Sequence, residues 1–253
     1  IEKLEASFFE VMTVMAVWHF VELNVDYAIM ETGLGGKFDS VSACGSEIYG
    51  ITSISLDHTH ILGENLEKIT KEKIGAIKSN STIYSVSQNK SVSDIIKKYS
   101  LDNQCRTKFI KTDNQLKLSL EGNHQKENAS LALAIFKHIK PQHKIKFVQK
   151  TLLSINWFGR NQTLQKNPKI IFDVAHNESG ILSFIQNIID KNKEYNNMYL
   201  LLSLQKHKKI KNIINTIHAT FDEVIYSQIN HEKMMQFSKI KELLPNAIYI
   251  ENP

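Results

Sequence analysis

The chain has 253 residues, of which 42% are hydrophobic and 23% are charged. These are ordinary proportions for a globular protein, and they exclude a disordered tail or a fibre. The formal net charge of +5 comes mostly from scattered lysines without interleaved aromatic residues. We therefore expect a solvated basic surface and no nucleic-acid partner.

The cysteine content and the apolar runs narrow the class further. Only two cysteines occur, Cys44 and Cys105, and neither stands in a CxxC or Cys/His spacing, so a disulfide framework and a zinc site are not indicated. No apolar run approaches the roughly 20 residues that cross a bilayer. The first residues carry neither an initiator Met nor a signal-peptide pattern. We expect a cytoplasmic chain that begins within a longer protein and has no membrane contact.

Apolar periodicity predicts the elements of the first half of the chain. We expect helices over 7–23, 65–77, 87–104 and 124–139, strands over 27–30, 48–56 and 83–86, and β-hairpin material over 105–121. The segments 27–30 and 48–56 are short and apolar, and each runs into polar residues. Buried parallel strands of an α/β sheet have this pattern, and their carboxyl ends are where ligands bind.

A second alternation of strands and helices begins after Gly159. Strands are expected over 169–173, 198–204, 223–227 and 247–250, and helices over 179–189, 210–221 and 231–244. Repeated β-α-β units indicate a parallel sheet with right-handed crossovers. Because the pattern is loose between 141 and 157, we place the domain boundary there and predict domains of residues 1–155 and 156–253.

A glycine-rich turn follows the first predicted strand, reading Glu-Thr-Gly-Leu-Gly-Gly over residues 31–36. Glycine lets a backbone approach a ligand closely because it has no Cβ. The spacing matches neither a P-loop nor GxGxxG, and an isolated motif of this kind is more often a plain tight turn. Glu31, however, stands at the strand end, where an oxygen ligand for Mg²⁺ would lie.

The second predicted strand ends in Asp57-His58-Thr59-His60, which offers one carboxylate and two imidazoles. Such a set can bind a divalent metal or move protons near neutral pH. An equally good interpretation makes Asp57 a cap for the next turn and leaves the histidines on the surface. Lys73 follows on a predicted helix, where a lysine is ordinarily a solvated charge.

Six motifs occur in a fixed order along the chain. They are E-T-G-L-G-G-K-F-D at 31–39, T-S-I-S-L-D-H-T with L-G at 52–63, K-E-K-I-G-A-I-K at 71–78, G-N-H-Q-K-E-N-A at 122–129, W-F-G-R at 157–160 and F-D-V-A-H-N at 172–177. Together with S-F-F-E at 7–10, they resemble the folylpolyglutamate synthase/dihydrofolate synthase family of the Mur ligase superfamily. The resemblance runs through the whole chain.

The resemblance implies an α/β fold in which part of a Mur-ligase-like central ATPase domain is followed by a Rossmann-like C-terminal domain. It also implies an ATP-dependent ligase that adds L-glutamate to dihydropteroate or to folyl-(poly)glutamate through an acyl phosphate. Mg²⁺ would be the cofactor, ATP, glutamate and the pterin acid would be the small-molecule substrates, and the protein would be a monomer. The motifs do not distinguish dihydrofolate synthesis from polyglutamate extension.

The same resemblance implies roles for particular residues. Glu31, His58 and Lys73 would be metal ligands, Lys73 through the carbamate that relatives carry. ATP would contact Asn128, Arg160 and Asp173, and the other substrates would contact Gly35, Gly36, Asp57 and His176. Lys73, Asp173 and His176 would be catalytic.

Four features depart from the family pattern. The phosphate-binding loop that precedes the S-F-F-E helix has no counterpart, and the chain stops where a further helix and strand normally follow, so we expect truncation at both ends. Val174 replaces a glycine, and the turn at 204–208 is altered. Two alternatives therefore stay open: a ligation-deficient remnant or binding module of the same fold, and a related amide ligase of cell-wall precursors.

Overall fold

A computed structural model describes residues 5–190, 195–208, 210–228 and 230–251 of the chain. Its contacts divide the chain into two compact units, Ile1–Asp113 with Glu127–His143, and Asn114–Lys126 with Lys144–Pro253. The domain limits placed at residue 155 stay a prediction. No helix within the described ranges is both long and apolar enough to cross a membrane.

The first unit is built on a three-stranded parallel sheet in the order β1-β2-β3. Its elements are α1 (Phe8–Glu22), β1 (Ile48–Ile51), α2 (Thr59–Leu62), α3 (Leu66–Ile74), β2 (Thr82–Val86), α4 (Lys90–Asp102), β3 (Arg106–Ile110) and most of α5 (Asn123–Ile139). A 3₁₀ turn spans Ser40–Cys44.

The starts of three helices follow directly from their capping residues. Ser7 and Glu10 form a reciprocal capping box at α1, and Asn65 and Asn89 accept backbone N–H groups at the starts of α3 and α4. Each cap satisfies an N–H group that the helix itself leaves unpaired. The predicted helices at these positions are confirmed.

The central strand β2 is buried at every position. Ile83 packs with Ile69 of α3 and Ile96 of α4, whereas Tyr84 packs with Leu131 of α5. Because successive residues of a strand point to opposite faces, these two clusters cover both faces of the sheet.

Three predictions for this part of the chain were wrong in detail. Residues 27–30 form no strand, and Ile29 is 94% exposed, because no described strand lies beside them to pair with their backbone. The strand expected over 48–56 ends at Ile51. The expected hairpin over 105–121 is the single strand β3, which pairs with β2 in parallel.

The apolar alternation at 115–120 belongs to a loop in the second unit. The loop is attached to α6 (Ile145–Ser154), a helix that the sequence pattern did not predict. Ser119 N donates to Leu152 O at 3.2 Å, and Gln149 Nε2 donates to Lys117 O at 2.6 Å. A neighbouring helix thus supplies the hydrogen-bond partners that a second strand would have provided.

The rest of the second unit holds two sheets. Its further elements are β4 (Gln162–Lys166), β5 (Lys169–Phe172), α7 (Glu178–Ile189), β6 (Tyr199–Leu202), α8 (Ile214–Thr220), β7 (Glu223–Gln228), α9 (Phe237–Leu243) and β8 (Ile248–Glu251). Strands β6, β7 and β8 form a parallel sheet, which confirms that part of the predicted pattern. Strand β5 instead pairs antiparallel with β4, a strand that the pattern did not predict.

Candidate functional site

The glycine-rich loop in the first unit is held by the carboxylate of Asp39. Asp39 Oδ2 accepts the backbone N–H groups of Gly33 and Leu34 at 2.8 and 2.9 Å, and Oδ1 accepts that of Val41 at 3.0 Å. Three charge-assisted hydrogen bonds give this loop one defined shape. The sequence motif contained Asp39, but the sequence assigned it no role.

The two glycines predicted to contact substrate also have a packing role. A Cβ at Gly36 would lie 2.4 Å from the carbonyl oxygen of Lys73, and one at Gly35, whose φ is +67°, would lie 2.9 Å from Leu62. The next residue, Lys37, donates its backbone N–H to Glu72 O at 2.8 Å. The loop therefore packs against the C-terminal end of α3, which a larger residue at position 36 would prevent. Substrate contact by Gly35 and Gly36 stays a prediction.

Asp57 of the second motif contacts the adjacent His58 and also acts electrostatically on Lys73. His58 has a left-handed backbone, with φ of +49°, and its N–H donates to Asp57 Oδ1 at 2.8 Å. Its Nε2 lies 3.8 Å from Asp57 Oδ2. A left-handed non-glycine residue is uncommon and is concentrated at functional sites.

Burial lowers the pKa of the Lys73 amine below its usual value, and the carboxylate of Asp57 opposes part of that shift. A lower pKa increases the fraction of neutral amine, which is the nucleophilic form. Lys73 is therefore different from an ordinary solvated lysine.

Two predicted ligands in the same unit are less constrained. Glu31 is exposed, and Asn128 is half-buried on α5. Within the part of the chain that the structure describes, no three or more His, Cys, Asp or Glu side chains converge as a metal-binding group. Metal binding by Glu31 and His58 stays a prediction.

A groove of about 390 Å³ lies in the first unit, and sequence reasoning did not identify it. Phe9, Glu10, Phe38 and Asp39 are among the residues that line it, and Phe38 is 84% exposed. The Phe9 ring lies against the loop, since a Cβ at Gly33 would be 2.8 Å from it. The adjacent aromatic and acidic residues of S-F-F-E were the available signal, but helical periodicity alone did not show which side chains face the loop.

In the second unit, Asp173 follows β5 and has both carboxylate oxygens engaged by backbone. Oδ2 accepts the N–H of Asn161 and Oδ1 accepts that of Ala175, each at 2.8 Å. His176 is exposed, with Nδ1 2.9 Å from Val174 O. Arg160 is also exposed. Asp173 and the neighbouring backbone thus form a rigid turn, and the side chains of Arg160 and His176 are accessible.

No family model matches the chain. Three curated relatives are similar along most of it. The dihydrofolate synthase/folylpolyglutamate synthase of Bacillus subtilis is 29% identical, covering 85% of this chain and 58% of the relative. That of Buchnera aphidicola from Schizaphis graminum is 26% identical, with 99% and 64% covered. The dihydrofolate synthetase of Saccharomyces cerevisiae is 25% identical, with 92% and 62% covered. The chain thus spans less than two thirds of each relative.

Solved structures share the fold. Mycobacterium tuberculosis folylpolyglutamate synthase, complexed with ADP and AMPPCP, matches with a TM-score of 0.89 at 22% identity, covering 97% of this chain and 63% of that one. Escherichia coli FolC, complexed with DHPP and ADP, matches with a TM-score of 0.84 at 23% identity, with the same 97% and 63% covered. The predicted α/β, Mur-ligase-like fold class is confirmed.

Proposed function

Because the chain is similar along most of its length to folylpolyglutamate synthases/dihydrofolate synthases, we propose that it is a member of their family and that it serves the ATP-dependent joining of L-glutamate to a pterin-containing acid. The acid would be dihydropteroate, a folyl-(poly)glutamate or both. The observation that carries the proposal is the groove beside the glycine-rich loop, because residues of four of the family-like motifs line it.

The groove has the chemistry that a pterin ring needs. A flat heterocycle can stack on the phenyl rings of Phe9 and Phe38, and aromatic contacts of this kind contribute about 0.5–1.5 kcal/mol beyond their buried area. The amino and ring N–H groups of a pterin are donors. Asp39 already accepts three backbone N–H groups and Glu10 Oε2 accepts from Ser7, so Glu10 Oε1 is the proposed acceptor for the pterin. A volume of about 390 Å³ falls in the range of small-molecule sites.

The proposed reaction proceeds in two displacements. A carboxylate oxygen of the pterin acid attacks the γ-phosphorus of ATP, which forms an acyl phosphate and releases ADP. The neutral amine of glutamate then attacks the acyl carbon, phosphate leaves, and the nitrogen loses a proton to complete the amide. The structures of relatives in complex with ADP support the use of ATP.

The donor groups of the first unit fit Mg²⁺ in part. Glu31 offers the hard carboxylate oxygen that Mg²⁺ prefers, and His58 offers an imidazole nitrogen. Lys73 would add an oxygen ligand only as a carbamate, and its lowered pKa favours the neutral amine that attacks CO₂. When bound, the ion would neutralise charge on the phosphoryl oxygens.

The second unit contributes the remaining proposed contacts. Arg160 and His176 are exposed on either side of Asp173 in the sequence, and their side chains can carry charge or a proton toward phosphate oxygens. Asp173 is fixed by two backbone N–H groups and can accept a further donor.

The first test measures dihydropteroate binding to the chain by calorimetry. We expect Phe9→Ala to weaken binding about tenfold, since one lost aromatic contact is worth about 1.4 kcal/mol. Phe8→Ala is the matched control, because Phe8 is 81% exposed and does not line the groove. Circular dichroism would confirm that both variants fold.

The second readout is ADP release from ATP with Mg²⁺, glutamate and each acceptor. We expect release only when a pterin acid is present, and comparing dihydropteroate with a folyl monoglutamate decides between the two activities. Binding of a UDP-linked peptide in place of the pterin would favour the cell-wall alternative. Pterin binding without ADP release would indicate a binding module. The absence of both pterin binding and ADP release would contradict the proposal.

A further inference from the structure

Asn161 occupies a position that is costly for folding. It is 7% exposed, and its backbone is left-handed, with φ of +51°. Its Oδ1 is buried and, among the described residues, has no hydrogen-bond partner. The unpaired buried acceptor destabilises the folded chain because it has lost its hydration. The left-handed backbone is one that asparagine adopts more readily than most L-residues and that β-branched residues resist. Features of this kind are concentrated at functional sites.

The same backbone conformation supports a network around Asp173. The N–H of Asn161 donates to Asp173 Oδ2 at 2.8 Å, and its Nδ2 donates to Glu121 Oε2 at 3.4 Å. On the other side of Arg160, the carbonyl of Gly159 accepts the N–H of Val174 at 3.0 Å. Gly159 is also left-handed, with φ of +71°.

Arg160 therefore lies between two left-handed residues, Gly159 and Asn161. Each of them forms a hydrogen bond with residues 173–174. A rotation of the backbone at Asn161 would turn its N–H away from the carboxylate and would change the direction of Arg160. The family resemblance implies roles for Arg160 and Asp173 and none for Asn161.

We propose that Asn161 is a positioning residue for the nucleotide site, and that its left-handed backbone sets the Asp173 carboxylate and the Arg160 guanidinium in their binding arrangement. This inference rests on the proposed function, since both neighbours are assigned to ATP there. The ligand that these two side chains would bind is a nucleoside phosphate. Preset geometry matters because a ligand then binds without first ordering the groups that hold it.

The test is a nuclear magnetic resonance titration of the 253-residue chain with ADP and Mg²⁺. The reporters are the amide signals of Ala175 and of position 161, both hydrogen-bonded to Asp173 in the structure. Asn161→Gly keeps the N–H and tolerates the left-handed backbone, so we expect the ADP Kd to stay within about twofold. Asn161→Val resists that backbone, and we expect the Kd to rise about tenfold.

Asn80→Val is the matched control. Asn80 is also left-handed, with φ of +64°, but it is exposed and lies in the first unit. We expect this variant to lose stability without any change in the ADP Kd. All variants are compared at a temperature where circular dichroism shows them folded, and Asn161→Ala replaces Asn161→Val if the latter does not fold.

The outcomes separate the two proposals. An unchanged Kd in both Asn161→Val and Asn161→Ala, with the wild-type chain binding ADP, overturns the positioning role and leaves the proposed function standing. An equal loss in Asn161→Gly also overturns it, because the side chain and not the backbone would then matter. A wild-type chain that shows no shift with ADP removes both the nucleotide site and this inference.

Discussion

The two parallel sheets have the same three-strand topology but differ in how they are covered. In the first, every residue of the central strand β2 is buried, and helices α3, α4 and α5 supply the contacts. In the second, β6 alternates between exposed and buried residues, and β8 is exposed throughout. One apolar cluster, to which α7, α8 and α9 contribute, accounts for its buried side chains.

The difference shows that the pattern of buried and exposed residues along a strand follows which faces of the sheet are covered, and not the order of the strands. Parallel sheets usually have both faces covered and continuous apolar strands. Tyr199 and Leu201 are apolar yet exposed, so the sequence of β6 reads as a fully buried strand, although only alternate side chains are buried in the structure. The three predictions below test this comparison in order of expected effect.

Adjacent leucines of β6 provide the largest expected difference. Leu202 is 6% exposed, and Leu201 is 60% exposed. We expect Leu202→Ala to lower the free energy of unfolding by about 2–5 kcal/mol, because it removes core contacts and leaves a cavity. Leu201→Ala should change it by less than about 0.5 kcal/mol. Urea unfolding of both variants measures this, and equal losses would mean that the exposed face is covered in solution.

Two buried serines on the central strands sharpen the comparison. Ser85 on β2 donates to Val86 O at 2.9 Å and accepts from Gln88 Nε2 at 3.2 Å. Ser227 on β7 is also buried, but its hydroxyl has no partner among the described residues. We expect Ser85→Ala to destabilise the chain by about 1 kcal/mol and Ser227→Ala to be neutral or stabilising. Thermal unfolding that ranks the two variants in the opposite order would contradict this account.

The smallest expected effect concerns Lys73, at the end of a helix that covers the first sheet. Because its pKa is lowered on folding, the unfolded chain binds more protons between the folded pKa and the usual value near 10.5. The loss of stability that comes from burying the Lys73 ammonium is complete below the folded pKa. It is relieved as pH rises from the folded pKa to the usual value.

Lys73→Met removes this penalty and should raise the melting temperature at pH 7, with a gain that shrinks toward pH 10.5. Lys78→Met, at an exposed position, controls for the loss of one positive charge. A gain that is the same at every pH would show that burial of the ammonium does not cause it.

The sequence was sufficient wherever a local signal decides the structure. The helices expected over 7–23, 65–77 and 87–104 all form, and Ser7, Asn65 and Asn89 cap their starts because a capping side chain acts on the adjacent turn. The ordered motifs predicted the α/β fold class that the solved structures share. They also selected Asp57, whose carboxylate contacts His58 and acts electrostatically on Lys73.

Only the tertiary structure decided what depends on partners distant in the chain. Residues 27–30 have the composition of a strand, but a strand exists only where a neighbour pairs with its backbone. The groove requires α1 and the loop at 33–39 to meet, and helical periodicity does not state which loop a helix contacts. The hydrogen bond from the Asn161 N–H to Asp173 Oδ2 joins residues twelve positions apart in the chain, so it forms only on folding. The sequence contains each of these residues, but their roles come from contacts that form only on folding.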